Sequence, residues 1–388
     1  MNFNYYIPTK ILFGKGKLEE LKNINLPGKK ALIVISSGTA MKKYGYLERV
    51  QNLLEENSVE NVVFDKILPN PVLKHVMEGA SLAKETNCDF IIGLGGGSSI
   101  DSAKSIAVMS TNPGDYWDYI SGGSGKAKTL EASPLPVVAI TTTAGTGTEA
   151  DPWTVITKEE TNEKIGFGNE YTFPIISIVD PDLMMTIPKE LTAYQGFDAL
   201  FHATEGYIAN ISNVMSDMYA LKSIELIGTS LATAVNDGSN EKARTDVALA
   251  NTLSGMVEST SSCTSEHSLE HALSAHHSEL PHGAGLIAIS VAYYEHFAKI
   301  VPEKLIDMAK ALGKKDATDP LDFVEELKKL QTECGVDNIK LSDYKIDGNN
   351  LEKYVDNAKD TMGGLFQVDP KGPLSKEEAL EIYKKSYK

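Results

Sequence analysis

The chain has 388 residues, 42% hydrophobic and 23% charged, an enzyme-like composition with room for two domains and full cores; a peptide hormone or a disordered tail is excluded. Its 37 Lys and Arg against 53 Asp and Glu give a formal charge of -16, which repels phosphate backbones and anionic lipid, so neither nucleic acid nor a membrane surface is expected as a partner. No run approaches the roughly 20 apolar residues that span a bilayer, and the first ten residues lack the basic-then-apolar profile of a signal peptide, so a cytoplasmic location is expected.

From residue 29 to about 179, short β-branched runs alternate with helical patterns, the signature of a parallel sheet covered on both faces. Strands are predicted over 31–35, 61–64, 90–94, 137–140 and 175–179, with helices over 47–57 and 72–87; segment 121–133, rich in Gly, Ser and Lys, reads as an exposed loop. Beyond Pro181 and Pro188 the runs lengthen and carry Leu, Ala, Met and Glu at helical spacing. Helices are predicted there over 193–208, 215–235, 243–260, 266–274, 285–297, 302–312, 319–334, 351–361 and 375–387. The expected fold is thus an α/β N-terminal domain with a Rossmann-like parallel sheet, residues 1–184, followed by an all-α C-terminal domain, residues 185–388.

Two loops within the first half suit a nucleotide. Residues 91–104 run from an apolar strand through Gly93, Gly95, Gly96 and Gly97 into a helix, a junction where glycines let the backbone approach an anion and the free amides of the helix supply the attraction. It departs from the standard dinucleotide fingerprint, because Ser98 stands where the third glycine would fall and the loop follows the third predicted strand, not the first. A tight turn with glycines for packing would look the same. A second loop, residues 140–149, also follows an apolar strand and places five threonine hydroxyls among small residues, a lining for ribose, phosphate and carboxamide groups. Both loops leave carboxyl ends of strands and would face one crevice.

The second half carries a different concentration. Five of the eight histidines, His267, His271, His276, His277 and His282, fall between residues 267 and 282. Asp198 and His202 stand four apart, as do His267 and His271, so on helices each pair shares a face. Either pair alone is more often a surface contact than a ligand pair; together with His282, at a Pro-His-Gly turn, they can supply a carboxylate oxygen and imidazole nitrogens to one divalent cation. His276 and His277 are adjacent and cannot both point where His267 points, so they are neighbours of the site at most. Cys88, Cys263 and Cys334 match neither a disulfide framework nor a thiolate zinc site, and are read as reduced and buried or incidental, with no cysteine ligand to the cation. A nucleotide with a cation held by nitrogen and oxygen points to hydride transfer on an alcohol or carbonyl.

At these residues the chain resembles the iron-containing (group III) alcohol dehydrogenases. The resemblance runs nearly end to end, through Phe13-Gly14-Lys15-Gly16, Pro69-Asn70-Pro71, Gly95 to Ser98 with Asp101 and Lys104, Thr142 to Glu149, Val179-Asp180-Pro181, Gly196 to Glu205 and His267 to Gly283. Departures are small: Thr148 stands where members usually carry Ser, and Asp369-Pro370-Lys371 replaces a commoner Asn-Pro-Arg. The resemblance implies a dinucleotide-binding first domain and a metal-binding and substrate domain after it, with four metal ligands, Asp198, His202, His267 and His282, for Fe2+, and His271 lining the site near the nicotinamide; the affinity order would favour Zn2+ on the same donors. It implies cofactor contacts from Asn70, Gly96, Gly97, Ser98, Asp101, Thr142, Thr143, Thr146 and Lys164, and a homodimer.

The activity this implies is metal-dependent hydride transfer between a nicotinamide cofactor and a primary alcohol or its aldehyde, of butanol or propanediol type, with His271 as a candidate catalytic proton relay or a packing residue. Residues 34–39, ending the first predicted strand, hold no carboxylate to bind ribose hydroxyls; Ser36 and its small neighbours, with Lys42 and Lys43 nearby, suit a 2'-phosphate, so the reading leans to NADP(H) over NAD(H). The alternatives are a metal-dependent lyase or cyclase of the dehydroquinate synthase fold, glycerol dehydrogenase-like polyol oxidation, and a binding protein without turnover. The lyase would need basic residues for an anionic substrate, and the stretch from Asp198 to His282 is nearly free of Lys and Arg.

Overall fold

β-Branched and apolar runs in the first half form eight strands in the computed structural model, which describes residues 2–387; Met1 and Lys388, the outer ends of the two expected domains, lie outside the described residues. They are β1 (Lys10–Phe13), β2 (Lys30–Ser36), β3 (Glu60–Ile67), β4 (Phe90–Gly95), β5 (Val137–Thr141), β6 (Thr154–Lys158), β7 (Glu163–Phe167) and β8 (Ile176–Val179). Six make one sheet in the order β1-β8-β5-β4-β2-β3, and every pairing in it is parallel. All their carboxyl ends therefore open on one edge, where such sheets take their ligands. The strand period of two sorts the side chains of β2: Leu32 and Val34 pack with Val76 and Ile106 on one face, while Ala31, Ile33 and Ile35 pack with Val50 and Leu54 on the other. The covering helices are α1 (Ala40–Lys43), α2 (Tyr46–Glu56), α3 (Leu73–Glu85) and α4 (Gly97–Thr111).

The second half is helical: α5 (Lys189–Ile208), α6 (Val214–Asn236), α7 (Glu241–Thr260), α8 (Ser265–His276), α9 (His282–Phe297), α10 (Pro302–Leu312), α11 (Leu321–Cys334), α12 (Glu352–Gln367) and α13 (Lys376–Ser386). One apolar core runs through them, with Phe197, Phe201, Tyr293, Tyr294 and Phe323 fully buried. An Asn at the N-cap of α6 and a Ser at that of α13 each close a capping box, which sharpens both starts.

Three sequence expectations need correction. The first strand is β1, four residues at the sheet edge and too short to show a period, so the glycine loop follows the fourth strand of the chain. The hairpin β6-β7 was not expected, because its strands mix Thr, Lys, Glu and Gly with few apolar residues and it buries them only by lying with β6 across α4 and β7 against α8 and α12. His282 does not sit on a turn; it is the first residue of α9, behind Pro281 as N-cap. The loop over 121–133 holds no strand or helix, as expected.

One contact closes the first half on itself, and another joins it to the second. Asp180, just before the helical part, accepts the backbone N–H groups of Gly16 and Leu18, both at 3.0 Å, so the Phe13–Gly16 and Val179–Pro181 segments close on each other. The second loop is clamped to α7: Asn251 accepts from Gly147 N–H at 2.8 Å, and its own amide and the Thr252 hydroxyl donate to the buried Glu149 carboxylate at 2.8 and 2.7 Å. Burial pushes the Glu149 carboxyl up to about 7, against the donation from Thr252. At this clamp α7 passes so close that a Cβ on Gly255 would stand 2.0 Å from the Gly147 carbonyl oxygen. Gly255→Ala is expected to force the loop and helix apart, destabilising by about 1–3 kcal/mol; thermal unfolding checks this, and an unchanged midpoint would show that the contact yields without strain.

Candidate functional site

A cavity of about 690 Å³ lies where the carboxyl edge of the sheet meets the helical half, and residues of both halves line it. Its size is that of a small-molecule or cofactor site. On the helical wall, α5 presents Asp198 and His202 one turn apart, α8 presents His267 and His271, and α9 opens with His282.

These side chains converge. Asp198 Oδ1 lies 3.4 Å from His282 Nε2, 3.6 Å from His267 Nε2 and 3.7 Å from His202 Nδ1, and the rings of His202 and His267 stack with centroids 4.3 Å apart. Asp198 is buried behind the cavity surface, whereas the histidines reach it. Burial works against a charged Asp198, but the imidazoles of His202 and His282 beside it hold its carboxyl well below the usual range. Burial drives the His202 imidazole down to about 3, despite Asp198.

Two of the rings are turned from their far side, while His202 meets both Asp198 and a backbone carbonyl with its Nδ1. His267 Nδ1 is hydrogen-bonded to Glu205 Oε1 and His282 Nδ1 to Glu270 Oε2, both very closely, while His202 Nδ1 lies 3.2 Å from the Gly145 carbonyl. Glu205 is itself fixed by the Thr264 backbone N–H and hydroxyl at 2.7 and 2.9 Å. A carboxylate on Nδ1–H sets the tautomer and leaves Nε2 as a lone-pair donor. Asp198 Oδ1 and His267 Nε2 are buried with no hydrogen-bond partner, and a buried polar atom left so costs about 1–3 kcal/mol. One carboxylate oxygen and imidazole nitrogens at this spacing fit a divalent first-row cation, which would satisfy both atoms.

His271 lines the same cavity, with its ring 5.2 Å from that of His282 and its Nδ1 2.9 Å from Met362 Sδ. His276 and His277 lie apart from this group against the Tyr354 ring, and His277 Nε2 is hydrogen-bonded to the Tyr354 hydroxyl at 2.6 Å.

On the opposite wall, α4 starts at Gly97 with Gly96 as N-cap and no side chain capping its amides. A Cβ on Gly96 would stand 2.9 Å from Thr143 Cγ2, and one on Gly97 2.4 Å from Thr146 Cγ2, so the two loops are packed glycine against threonine. Bare amides at the start of a four-turn helix fit a pyrophosphate. Of the residues expected at a cofactor, Asn70, Gly97, Ser98, Asp101, Thr146 and Lys164 line the cavity; Gly96, Thr142 and Thr143 lie beside it at the ends of β4 and β5, and Ser36 ends β2 outside it. Lys164, on β7, donates to Ser274 Oγ at 2.9 Å and stands 3.7 Å from Glu270, so the hairpin reaches across to the metal-like cluster.

Behind this wall is a fully buried cation. Lys104 Nζ donates to Thr148 Oγ1 at 2.7 Å, to Asp151 Oδ1 at 3.1 Å and to the carbonyls of Asp151 and Trp153 at 2.9 and 2.7 Å. The Thr148 hydroxyl donates onward to Asp101 Oδ1 at 2.7 Å. Burial pushes the Asp101 carboxyl up to about 6, opposed by Lys104.

Sequence reasoning did not single out Glu205, Glu270, Glu258 or Met362, and it read Cys263 as buried or incidental, whereas the structure sets that thiol on the cavity wall. Glu270 stands three residues past His267, a helical spacing that signals a shared face, but its partner His282 lies in another helix, so nothing in the sequence pairs them. Glu258 and Cys263 reach the site from the end of α7 and the link after it, and no spacing rule connects them to His202.

Residues 8–181 match the family model described as iron-containing alcohol dehydrogenase, and residues 192–387 match the C-terminal model of the same family. The chain is 35% identical over 386 residues to alcohol dehydrogenase 4 of Schizosaccharomyces pombe, covering 98% of this chain and 88% of that one. It is 32% identical over 397 residues, 99% of each chain, to a probable NADH-dependent butanol dehydrogenase 1 of Bacillus subtilis. Among solved structures it superposes on an archaeal halo-thermophilic Red Sea brine pool alcohol dehydrogenase with a TM-score of 0.95 and 34% identity, covering 100% of this chain and 99% of that one.

The carboxylates behind the imidazoles carry a measurable consequence. Glu270→Gln is expected to lower divalent-metal affinity about 10–100-fold by loosening the His282 ring; competition with a chromogenic chelator reads it, and unchanged affinity would mean that the ring is held by packing alone.

Proposed function

The chain belongs to the iron-containing alcohol dehydrogenase family, and from that premise we propose that it interconverts primary alcohols and their aldehydes, of butanol or propanediol type, using a cation held by Asp198, His202, His267 and His282. The observation that carries this reading is the unpartnered, buried Asp198 Oδ1 facing imidazole nitrogens on the wall of the cavity that the glycine loop also lines. Iron(II) is the proposed ion; zinc suits the same donors and stands higher in the affinity order.

When bound, the cation supplies Lewis-acid charge at the substrate oxygen and the nicotinamide supplies the hydride acceptor or donor. The chain's own residues do the rest. Asp198 and the three imidazoles fix the charge, and Glu205 and Glu270 keep the rings aimed. Gly96, Gly97, Ser98 and the threonines of the second loop would hold the pyrophosphate end of the cofactor, with Asp101, Asn70 and Lys164 on the same cavity wall. His271 is the proposed proton relay: with Nδ1 engaged by Met362, its Nε2 is the atom that takes the alcohol proton. Asp198, His267 and Glu270 are themselves buried, so solvent screens the charges of the cluster little.

For cofactor choice, the end of β2 supports NADP(H). No carboxylate occurs from Ser36 to Thr39, and Lys42 and Lys43 follow in α1. Lys42 is paired with Asp65 at 2.6 Å, but both are about half exposed, and such a pair contributes only about 0–1 kcal/mol, so the ammonium is free to exchange onto a phosphate. The NADH dependence named for the Bacillus relative is the competing outcome. A homodimer and a cytoplasmic location complete the reading; among the described residues no helix is long and apolar enough to cross a membrane.

Asp198→Ala and His267→Ala are each expected to cut alcohol oxidation by about 10³-fold or more, the several kcal/mol that a Lewis acid contributes, while cofactor still binds by fluorescence titration. Full turnover in the metal-stripped double variant would sink the assignment. Across a panel of primary alcohols, kcat/KM with NADP should exceed that with NAD, and Lys42→Glu should narrow the ratio about tenfold, one charged hydrogen bond's worth; an NAD preference in the wild type would refute the cofactor reading alone.

A further inference from the structure

Cys263 sits in the short link between α7 and α8, and the link has little freedom. Ser261 Oγ donates to the Gly206 carbonyl at 2.8 Å on one side, and the Thr264 N–H donates to Glu205 Oε2 at 2.7 Å on the other. The thiol is thereby held on the cavity wall beside the histidines. Cys263 Sγ, a His202 ring nitrogen and a His267 ring nitrogen all lie within 4.8 Å of one another, as do the donor atoms of Asp198, His267 and His282. His267 belongs to both triads, so the two donor sets adjoin through one imidazole. A further buried atom faces this side: Glu258 Oε1, in a residue nine-tenths buried, has no hydrogen-bond partner and stands 3.5 Å from His202 Nε2.

We propose that the Cys263 thiol is a further donor at this position, which a thiophilic divalent ion such as cadmium, zinc or cobalt recruits together with His202 and His267, filling the coordination place that an alcohol oxygen needs. The proposal rests on the reading that Asp198 and the imidazoles hold a cation. A site with three or four protein ligands and an open place is a working site, whereas one closed by a thiolate is of the structural kind. Hard ions such as manganese favour the oxygen and nitrogen donors and leave the thiol alone. As the sulfur–metal bond forms the S–H bond breaks, its electron pair stays on sulfur, and the proton passes to Glu258 Oε2, which already accepts the thiol hydrogen at 3.6 Å; no group is oxidised or reduced.

Wild-type protein reloaded with one equivalent of cobalt(II) should show a near-ultraviolet thiolate-to-cobalt charge-transfer band beside the visible ligand-field bands. Cys263→Ser should lose the first and keep the second, and should bind cadmium at least tenfold more weakly while its manganese affinity changes less than twofold. A measurement on the wild type alone guards against a misfolded variant: iodoacetamide should alkylate the Cys263 peptide at least tenfold more slowly in the cadmium-loaded than in the manganese-loaded protein. Ligand-field bands without the charge-transfer band, or equal alkylation rates, would overturn the thiol donor and leave the nitrogen and oxygen site standing. Failure of cobalt and manganese to bind the wild type would overturn both.

Discussion

A carboxylate buried among three imidazoles is costly unless something positive sits between them, and the helical half is arranged around that requirement. Taking a charge out of water costs several kcal/mol even after relaxation. Asp198 is buried, its Oδ1 has no hydrogen-bond donor, and the nearest atoms are ring nitrogens at 3.4 to 3.7 Å, too long for strong bonds and close to the separation of ligands around one ion. The side chains that could have relieved the cluster are instead turned outward: Glu205 and Glu270 hold the outer nitrogens of His267 and His282. The arrangement keeps lone pairs free at its centre at the expense of folding stability, as binding sites commonly do.

The facing wall uses the opposite device, a buried charge that is fully satisfied. Lys104 has no exposed surface and four acceptor atoms around its three N–H groups, and through Thr148 it reaches Asp101 at the start of the same helix. A buried ion pair of this kind adds little net stability compared with apolar packing, but it fixes geometry. Here it locks α4 to the segment 148–153, and with it the uncapped amides behind the glycine loop. Glu149, one residue further, locks that segment to α7. The glycine loop and the histidine cluster therefore belong to one connected frame although they come from different halves of the chain, and a shift at Gly255 or Glu149 would reach the cavity through backbone contacts.

Seen from the cavity, the coordination position has two kinds of neighbour. Asp198 and His282 approach it with oxygen and nitrogen, while Cys263 and Glu258 stand on the side of His202. The family relationship supports the reaction class. Glu258, near the end of α7, and Cys263, in the link after it, fall outside the stretches Gly196 to Glu205 and His267 to Gly283 that carry the resemblance.

The division into an α/β half and a helical half was legible in the chain itself, because β-branched runs and helical spacing are local properties that packing only confirms. The pairs Asp198–His202 and His267–His271 were legible for the same reason: four residues on a helix put two side chains on one face whatever surrounds them. The short edge strand β1 and the polar hairpin β6-β7 were not, since each is held by neighbours far away in sequence, β8 for one and α4 for the other. The carboxylate that aims His267, the thiol beside it and the Lys104 lock depend on separations of 62 residues in His267–Glu205, 61 in His202–Cys263 and 47 in Lys104–Asp151. Periodicity carries no information over such distances; only the packing of helix on helix and loop on helix decides which of these groups meet.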